Sequence, residues 1–367
     1  MWLLVMLACN GPTDDEVTDD EPVVEDPAPA LRDTSEVMFS ADDGLSKPTA
    51  LGFHPDDAGQ LWIVNHESFS ATIVSGIGTD DESTETKIDS AAGHFMVDVS
   101  SMAWGDMTEA VTLEGTNEQV RAFGTCQDNN NASWSARNFM GPTLWPGDLD
   151  YFAEFDLIIN EPLVLGSHLD MLHASPQCVG IAHEVDNAYW VNDGHHGTLV
   201  YYDFQVPHYV GGDDHSDGII RFYEEVELSR VAKVPGHMQL DKDTGWQYIA
   251  DTGNGRIVAV NTWTGDVDRT LPMINEPLDE LSAVRDVAWE VLIDGLDSPA
   301  GLVLDGDGRM YVSDHGSGEI IAYDLGGQEL DRREVPEGPG VTGLTIGPDG
   351  ALWYAHGAND TVSKMVD

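Results

Sequence analysis

A short unit recurs along most of the chain, and internal repetition limits the available folds more than any other feature of a sequence. In one copy Pro235-Gly-His-Met-Gln-Leu-Asp241 leads to Tyr248-Ile-Ala-Asp251-Thr-Gly-Asn-Gly-Arg256-Ile. In a second, Cys178-Val-Gly-Ile-Ala-His183 leads to Tyr189-Trp-Val-Asn-Asp193-Gly. In a third, Pro299-Ala-Gly-Leu-Val-Leu-Asp305 leads to Tyr311-Val-Ser-Asp314-His-Gly-Ser-Gly-Glu-Ile. Val341-Thr-Gly-Leu-Thr-Ile-Gly347 leads to Leu352-Trp-Tyr-Ala-His356-Gly, and Ala50-Leu-Gly-Phe-His54 leads to Leu61-Trp-Ile-Val-Asn65-His. A degenerate copy lies around Val97–Leu113, with Met102-Ala-Trp104 and Ala110-Val-Thr-Leu113 as its strands. Short apolar runs rich in β-branched and aromatic residues alternate here with Gly, Asp and Asn turns, which is the signature of strands. Helical periodicity is almost absent, residues 278–292 being the best exception.

Each unit reads as strand, turn, strand, turn, strand, with two hydrophobic faces that it cannot bury alone. Radial stacking buries each sheet against the next. Six copies predict an all-β fold, a six-bladed β-propeller. Thr361–Met365 ends the chain in mid-blade, and Glu36–Ser40 is a candidate outer strand to close the ring. Asp193, Asp251 and Asp314 are expected at equivalent places, just after the second strand of their blades, accepting hydrogen bonds from turn amides.

Tyr248-Ile-Ala-Asp251-Thr-Gly-Asn254-Gly-Arg256-Ile257 resembles the core of an NHL repeat, and the copy from Tyr311 to Ile320 is similar with Glu319 at the Arg position. The resemblance covers most of residues 46–367 and is closest in the last four copies. It implies an NHL-like propeller, a fold that serves structural modules, ligand-binding modules and a few enzymes, so function has to be sought in the site. Among such propellers the chain is distantly similar to the peptidylglycine α-hydroxyglycine (amidating) lyase domain, in ring size and in placing His near the axis after a Pro. Pro235-Gly-His237 is displaced by one residue from that Pro-His pattern and Pro299-Ala-Gly301 has no His, so no catalytic residue is carried over.

The N-terminus reads differently. Met1-Trp2-Leu3-Leu4-Val5-Met6-Leu7-Ala8-Cys9 is too short to span a bilayer. Leu7-Ala8-Cys9 resembles the end of a bacterial lipoprotein signal, which implies lipidation of Cys9 and export. Residues 10–35 are rich in Asp, Glu, Pro and Thr, the composition of a disordered acidic tether. The expected organisation is a signal remnant over 1–9, the tether over 10–35, and a propeller over 36–367 with an inserted cap at about 114–177. The expected location is the cell envelope, at the outer membrane or cell surface, as a monomer that meets the membrane only through its anchor. With Cys9 lipidated, Cys126 and Cys178 remain, either as a disulfide or as two buried thiols.

Lys plus Arg total 16 against 66 Asp plus Glu, a formal net charge of -50. Such a surface repels phosphate backbones, which excludes nucleic acid as a partner, and it attracts cations and basic partners. Solubility in a salty exterior and a dedicated cationic ligand are both compatible with it.

Three features could carry chemistry. The cap segment holds Trp134, Phe139, Trp145, Tyr151 and Phe152, and would either shield one face or bind something there. Eight of the 13 His fall between residues 168 and 237: His168, His173, His183, His195, His196, His208, His215 and His237. Imidazole is a common metal ligand, and three convergent His with one water would make a zinc site. The metal candidates are His168, His173, His183 and His237 on one face, with His208 and His215 nearby. Asp213, Asp217, Gly218 and Glu224 have the spacing of a calcium-binding EF-hand loop, with His215 where that loop needs an oxygen. Zinc and calcium are therefore the candidate cofactors. No HExxH, paired CxxC or GxSxG occurs, so no nucleophile is assigned. Two functions are compatible with all this: a surface lipoprotein whose propeller binds a ligand or partner, with a metal at its His-rich face, or a metal-dependent lyase or hydrolase on the same scaffold.

Overall fold

A computed structural model describes residues 31–130, 139–273 and 276–367. Cys9, most of the tether and Trp134 lie outside the described residues.

Six sheets radiate from one axis, each with its first strand innermost and its four blade strands antiparallel. The first blade is Pro48–His54, Asp57–Asn65, Ser70–Ser75 and Ser83–Lys87. The second is Val99–Val111, Asn117–Gln127, Thr143–Pro146 and the two-residue strand Asp170–Met171. The third is Cys178–Val185, Ala188–Asp193, Thr198–Asp203 and Ile219–Tyr223. The fourth is Met238–Asp241, Trp246–Asp251, Arg256–Asn261 and Trp289–Asp294, and the fifth is Pro299–Leu304, Arg309–Asp314, Glu319–Asp324 and Glu329–Glu334. The sixth takes Val341–Ile346, Leu352–His356 and Thr361–Val366 from the C-terminus and Thr34–Phe39 from the N-terminal side. Thr34 pairs with Val366 and Phe39 with Val362, so the ring closes through the outer strand expected near Glu36–Ser40.

Between blades the cores are aromatic. Trp62 of the first blade is fully buried, with ring centroids 5.2 Å from Phe123 and 5.1 Å from Phe152 on the second-blade side. Dispersion and burial on that scale are what let narrow sheets stack without a helical layer. The disulfide Cys126–Cys178 crosses the next interface, joining the second strand of the second blade to the inner strand of the third.

The three repeated aspartates each end the second strand of their blade. Asp251 accepts from the Ser229 amide (2.7 Å) and Asp314 from the Asp297 and Ser298 amides (2.8 and 2.7 Å), tying each blade to the loop that enters it. Asp193 instead accepts from the amides of its own turn, His195 and His196 (both 2.9 Å).

Three expectations change. Val97–Leu113 does not hold two strands: Val99–Val111 is one strand with a register shift between Trp104 and Met107, so Gly105-Asp106 marks a bulge and not a turn. The second strand of that blade therefore falls at Asn117–Gln127, and the segment 114–177 supplies three blade strands before any of it can act as a cap. Residues 278–292 hold no helix; Glu280–Arg285 pairs in parallel with Ile219–Tyr223 and, with Asp266–Thr270, extends the third blade to six strands. Leu281, Ala283 and Val284 are buried by that pairing, and an edge that buries them overrides a short helical pattern. Among the described residues no helix is long and apolar enough to cross a membrane.

Candidate functional site

The chain leaves the first blade through Asp89, and this residue builds one wall of the site. Its buried carboxylate accepts from the Ser167 amide and hydroxyl (2.8 and 2.7 Å) and from the Ala91 amide (2.8 Å). That ties the short helix Ala92–Phe95 to the segment that carries His168. Phe95 then stacks on the His168 ring, centroids 3.9 Å apart. A second wall depends on Gly141: a Cβ there would lie 1.9 Å from the Leu172 carbonyl oxygen, so only glycine lets Met140 reach the amides of Ala174 and Ser175 (3.0 and 2.9 Å). Asp170, His168 and His173 are held in place by these contacts and by the pairing of Asp170 with Leu144. The loop between Thr198–Asp203 and Ile219–Tyr223 of the third blade brings His208, Asp213 and His215, and the hairpin appended to that blade brings Glu276.

Four imidazoles and two carboxylates meet here. Glu276 Oε2 bonds Nδ1 of both His173 (2.7 Å) and His215 (2.8 Å), while its Oε1 accepts the His173 amide (2.9 Å). His208 bonds the Tyr209 carbonyl through Nδ1 (2.7 Å), and His168 bonds the Leu165 carbonyl in the same way (2.8 Å). Asp170 Oδ1 accepts the Met171 amide (2.7 Å). What remains is unusual for a folded interior: Asp170 Oδ2, His173 Nε2, His208 Nε2 and His215 Nε2 are all buried without a hydrogen-bond partner. Asp170, His208 and His215 each offer a donor atom within 4.8 Å of the other two, and so do His173, His215 and Glu276.

The electrostatics follow from burial and pairing. Burial pushes the Asp170 carboxyl well above its ordinary range, with His215 opposing. It lowers His168 well below the usual imidazole value and His208 to about 4. Burial, with His173 and His215 nearby, brings His94 to about 4 as well. Burial also works against charge on Glu276 and His215, but hydrogen bonds from His173 and His215 outweigh it at Glu276, holding it at about 2, and the bond to Glu276 outweighs it at His215, raising that imidazole.

Beside this cluster lies a cavity of about 670 Å³. Ala91, Gly93, Phe95, Phe139, Leu157, Ile159, Leu163 and Leu165 form its apolar walls, and Ser90, His94, His168, His173, Asp213 and His215 its polar ones. Phe139 stacks on His173 at 4.4 Å, so this part of the expected roof does cover the site.

The remaining sequence candidates go elsewhere. His183 lies on the inner strand of the third blade and His237 just before that of the fourth; both line a separate cavity of about 300 Å³ on the propeller axis. Lys242 Nζ donates to His183 Nδ1 (2.8 Å), and His237 Nε2 bonds the Ser100 carbonyl (3.2 Å). The expected single face carrying His168, His173, His183 and His237 is therefore two places, because inner strands converge on the axis whereas the loops carrying the other His fold over the blade rims. The calcium-type loop is not formed. Asp217 accepts the Val206 amide (3.1 Å), Glu224 pairs with Arg269 (2.6 Å), and Asp213 faces the cavity. Ile219–Tyr223 is extended, which carries Glu224 roughly 16 Å away from the turn at about 3.3 Å per residue. Asp170, Glu276 and His94 were missed. The His168-x-Asp170 spacing was a signal for the first; Glu276 has none, being 103 residues from His173.

Fold and site together define a six-bladed β-propeller with a rim cavity walled by imidazoles and carboxylates. No family model matches the chain, and no curated protein is similar to it in sequence. Solved structures do resemble it. An auxiliary nutrient binding protein from Bacteroides ovatus aligns over 92% of this chain and 76% of its own, at 12% identity and a TM-score of 0.53. A virginiamycin B lyase from Staphylococcus aureus aligns over 90% and 88%, at 11% identity and 0.47. Regucalcin from Agrobacterium tumefaciens, described as a calcium-binding protein, aligns over 91% and 93%, at 14% identity and 0.48. At these identities the likeness concerns the fold.

Proposed function

We propose that this chain is an exported surface lipoprotein whose NHL-like propeller binds a small molecule in the rim cavity, with a metal ion at the cavity's imidazole wall. The cavity carries the reading: about 670 Å³, apolar over most of its lining and polar at one end, it has the size and character of a small-molecule site. The ligand-binding class agrees with that of the auxiliary nutrient binding protein of like fold. A Gly93→Trp variant tests the cavity. Gly93 lines the cavity and a Cβ there meets nothing within 4 Å, so the substitution can start a side chain at this wall without a clash. Wild-type protein should bind an environment-sensitive naphthalene sulfonate dye in that space and Gly93→Trp should lose most of the signal at unchanged melting temperature. Equal dye binding by both proteins would place the ligand site elsewhere.

Export and anchoring rest on Leu7-Ala8-Cys9 followed by an acidic stretch, and on a disulfide, which suits an oxidising compartment. Asn10 after the Cys, where Asp commonly signals inner-membrane retention, favours the outer membrane or surface. With its complete signal the protein should partition with membranes, and Cys9→Ser should appear in the soluble fraction; membrane partitioning that survives Cys9→Ser contradicts the anchor. The second reading, a metal-dependent lyase or hydrolase, is favoured by one observation, the approach of three donor groups, Asp170, His208 and His215, one fewer than the four ligands zinc takes.

A further inference from the structure

We infer that Asp170, His208 and His215 form a three-ligand centre for one divalent transition metal, and that an open position on this ion takes the oxygen head of an otherwise apolar ligand. The inference deepens the cavity reading and rests on it for the ligand, while the ion's site stands on its own geometry.

Each of three buried residues brings one donor atom within 4.8 Å of the other two, and each also keeps one buried donor atom without a partner. His208 and His215 each engage Nδ1, one on a backbone carbonyl and one on Glu276, leaving Nε2 buried and unpartnered. Asp170 uses Oδ1 on an amide and leaves Oδ2 unpartnered. A buried polar atom without a partner costs about 1–3 kcal/mol, and three together in one place are hard to keep in a folded chain unless something joins them. An imidazole that bonds a carboxylate or carbonyl through one nitrogen and presents the other is the usual arrangement around a protein-bound metal. Two imidazoles and one carboxylate suit zinc(II) or iron(II); calcium would want six or more oxygens. Glu276 is a positioning residue, since it holds both His215 and His173 by Nδ1 without itself being one of the three donors.

The ligand class follows from what surrounds the ion. His215 belongs both to the donor set and to the cavity wall, so the centre and the cavity adjoin. A dication on one carboxylate and two neutral imidazoles has its remaining charge offset by the Glu276 carboxylate behind His215, so it is the open position on the ion, as a Lewis acid, that draws an oxygen donor. Beyond it the cavity is apolar, through Phe95, Phe139, Leu157, Ile159, Leu163 and Leu165, and Leu157 and Ile159 are also solvent-exposed. A molecule with an alkyl or aromatic body and one carboxylate-like head fits both ends.

The test uses the full chain, stripped with a chelator and reloaded with zinc(II) or cobalt(II), with decanoate as the ligand probe. Wild type should retain about one equivalent of metal and show cobalt d–d absorption typical of low coordination. Asp170→Asn, His208→Asn and His215→Asn should each lose the bound ion. Glu276→Gln keeps every donor and should weaken the metal about 10–100-fold, which keeps the test valid if a donor variant does not fold. His237→Asn, on the axis, should hold metal as wild type does. Decanoate should bind the loaded protein more tightly than the stripped one and perturb the cobalt spectrum, and Gly93→Trp should lose decanoate while keeping metal. Wild type without stoichiometric metal, or donor variants that bind it equally, overturns the centre; dye binding to metal-free protein, lost in Gly93→Trp, would still uphold the cavity. Metal that binds as expected with decanoate indifferent to it overturns the open position.

Discussion

Replacing Cys126 and Cys178 together by Ala is expected to cost about 4 kcal/mol of stability, the value for releasing a cross-link that closes a loop of this size, here a sequence separation of 52. The bond joins the second blade to the third, and both cysteines are fully buried in the core between them. The closed segment contains the outer strands of the second blade and also His168, Asp170 and His173, so loosening it acts on the site as well as on the ring. Denaturant titrations of wild type with and without reductant, beside the double variant, provide the measurement. Reduced wild type and the variant should fall together, well below oxidised wild type. A variant as stable as the oxidised protein would mean that packing across this interface suffices without the bond.

Acidification from pH 6.5 to about 4 should remove the stability carried by buried neutral imidazoles, and His237 is the cleanest contributor. Its ring is buried on the axis, and burial lowers its pKa to about 4, with the hydrogen bond to the Ser100 carbonyl opposing. Above pH 6.5 the imidazole is neutral in folded and unfolded chains alike and contributes no pH dependence. Below it the unfolded chain takes up a proton that the folded one refuses until about pH 4. Stability therefore falls with pH across that window, by on the order of 3 kcal/mol from this residue, and the slope flattens below it. His94, also at about 4, adds to the same limb. His237→Gln keeps a donor for the Ser100 carbonyl but cannot titrate. Its loss of stability from pH 7 to pH 4 should be smaller than that of wild type by about that amount; parallel pH curves would show that His237 is not the source.

Much of the ring could be read directly. Strand-turn-strand units with Tyr or Trp opening the second strand and Asp or Asn closing it recur because each blade solves the same local problem, and the solution is written in adjacent residues. The equivalent places of Asp193, Asp251 and Asp314 were legible for that reason, but only Asp193 accepts from the amides of its own turn, whereas those bonded by Asp251 and Asp314 lie 16 to 22 residues earlier. The degenerate second blade was harder, since Gly105-Asp106 is as good a turn as it is a bulge, and only the pairing of Met107 with Arg121 separates the two.

The sequence by itself thus determined the fold class, the number of blades, the closing outer strand and the richness in histidine of residues 168–237. Local propensity and a repeated hydrophobic pattern suffice for these, because each unit carries its own strand signal, the copies can be counted, and a blade left short at the C-terminus calls for a strand from the other end. Which histidines meet was decided by the tertiary structure alone. His168 and His183 are 15 residues apart yet end on a blade rim and on the axis, while His173 and Glu276 are 103 apart and share a hydrogen bond. Proximity across blades depends on where loops of different units fold back over the sheets. No pattern within one unit encodes that, so Asp170, His208 and His215 became a set only when the second and third blades packed side by side.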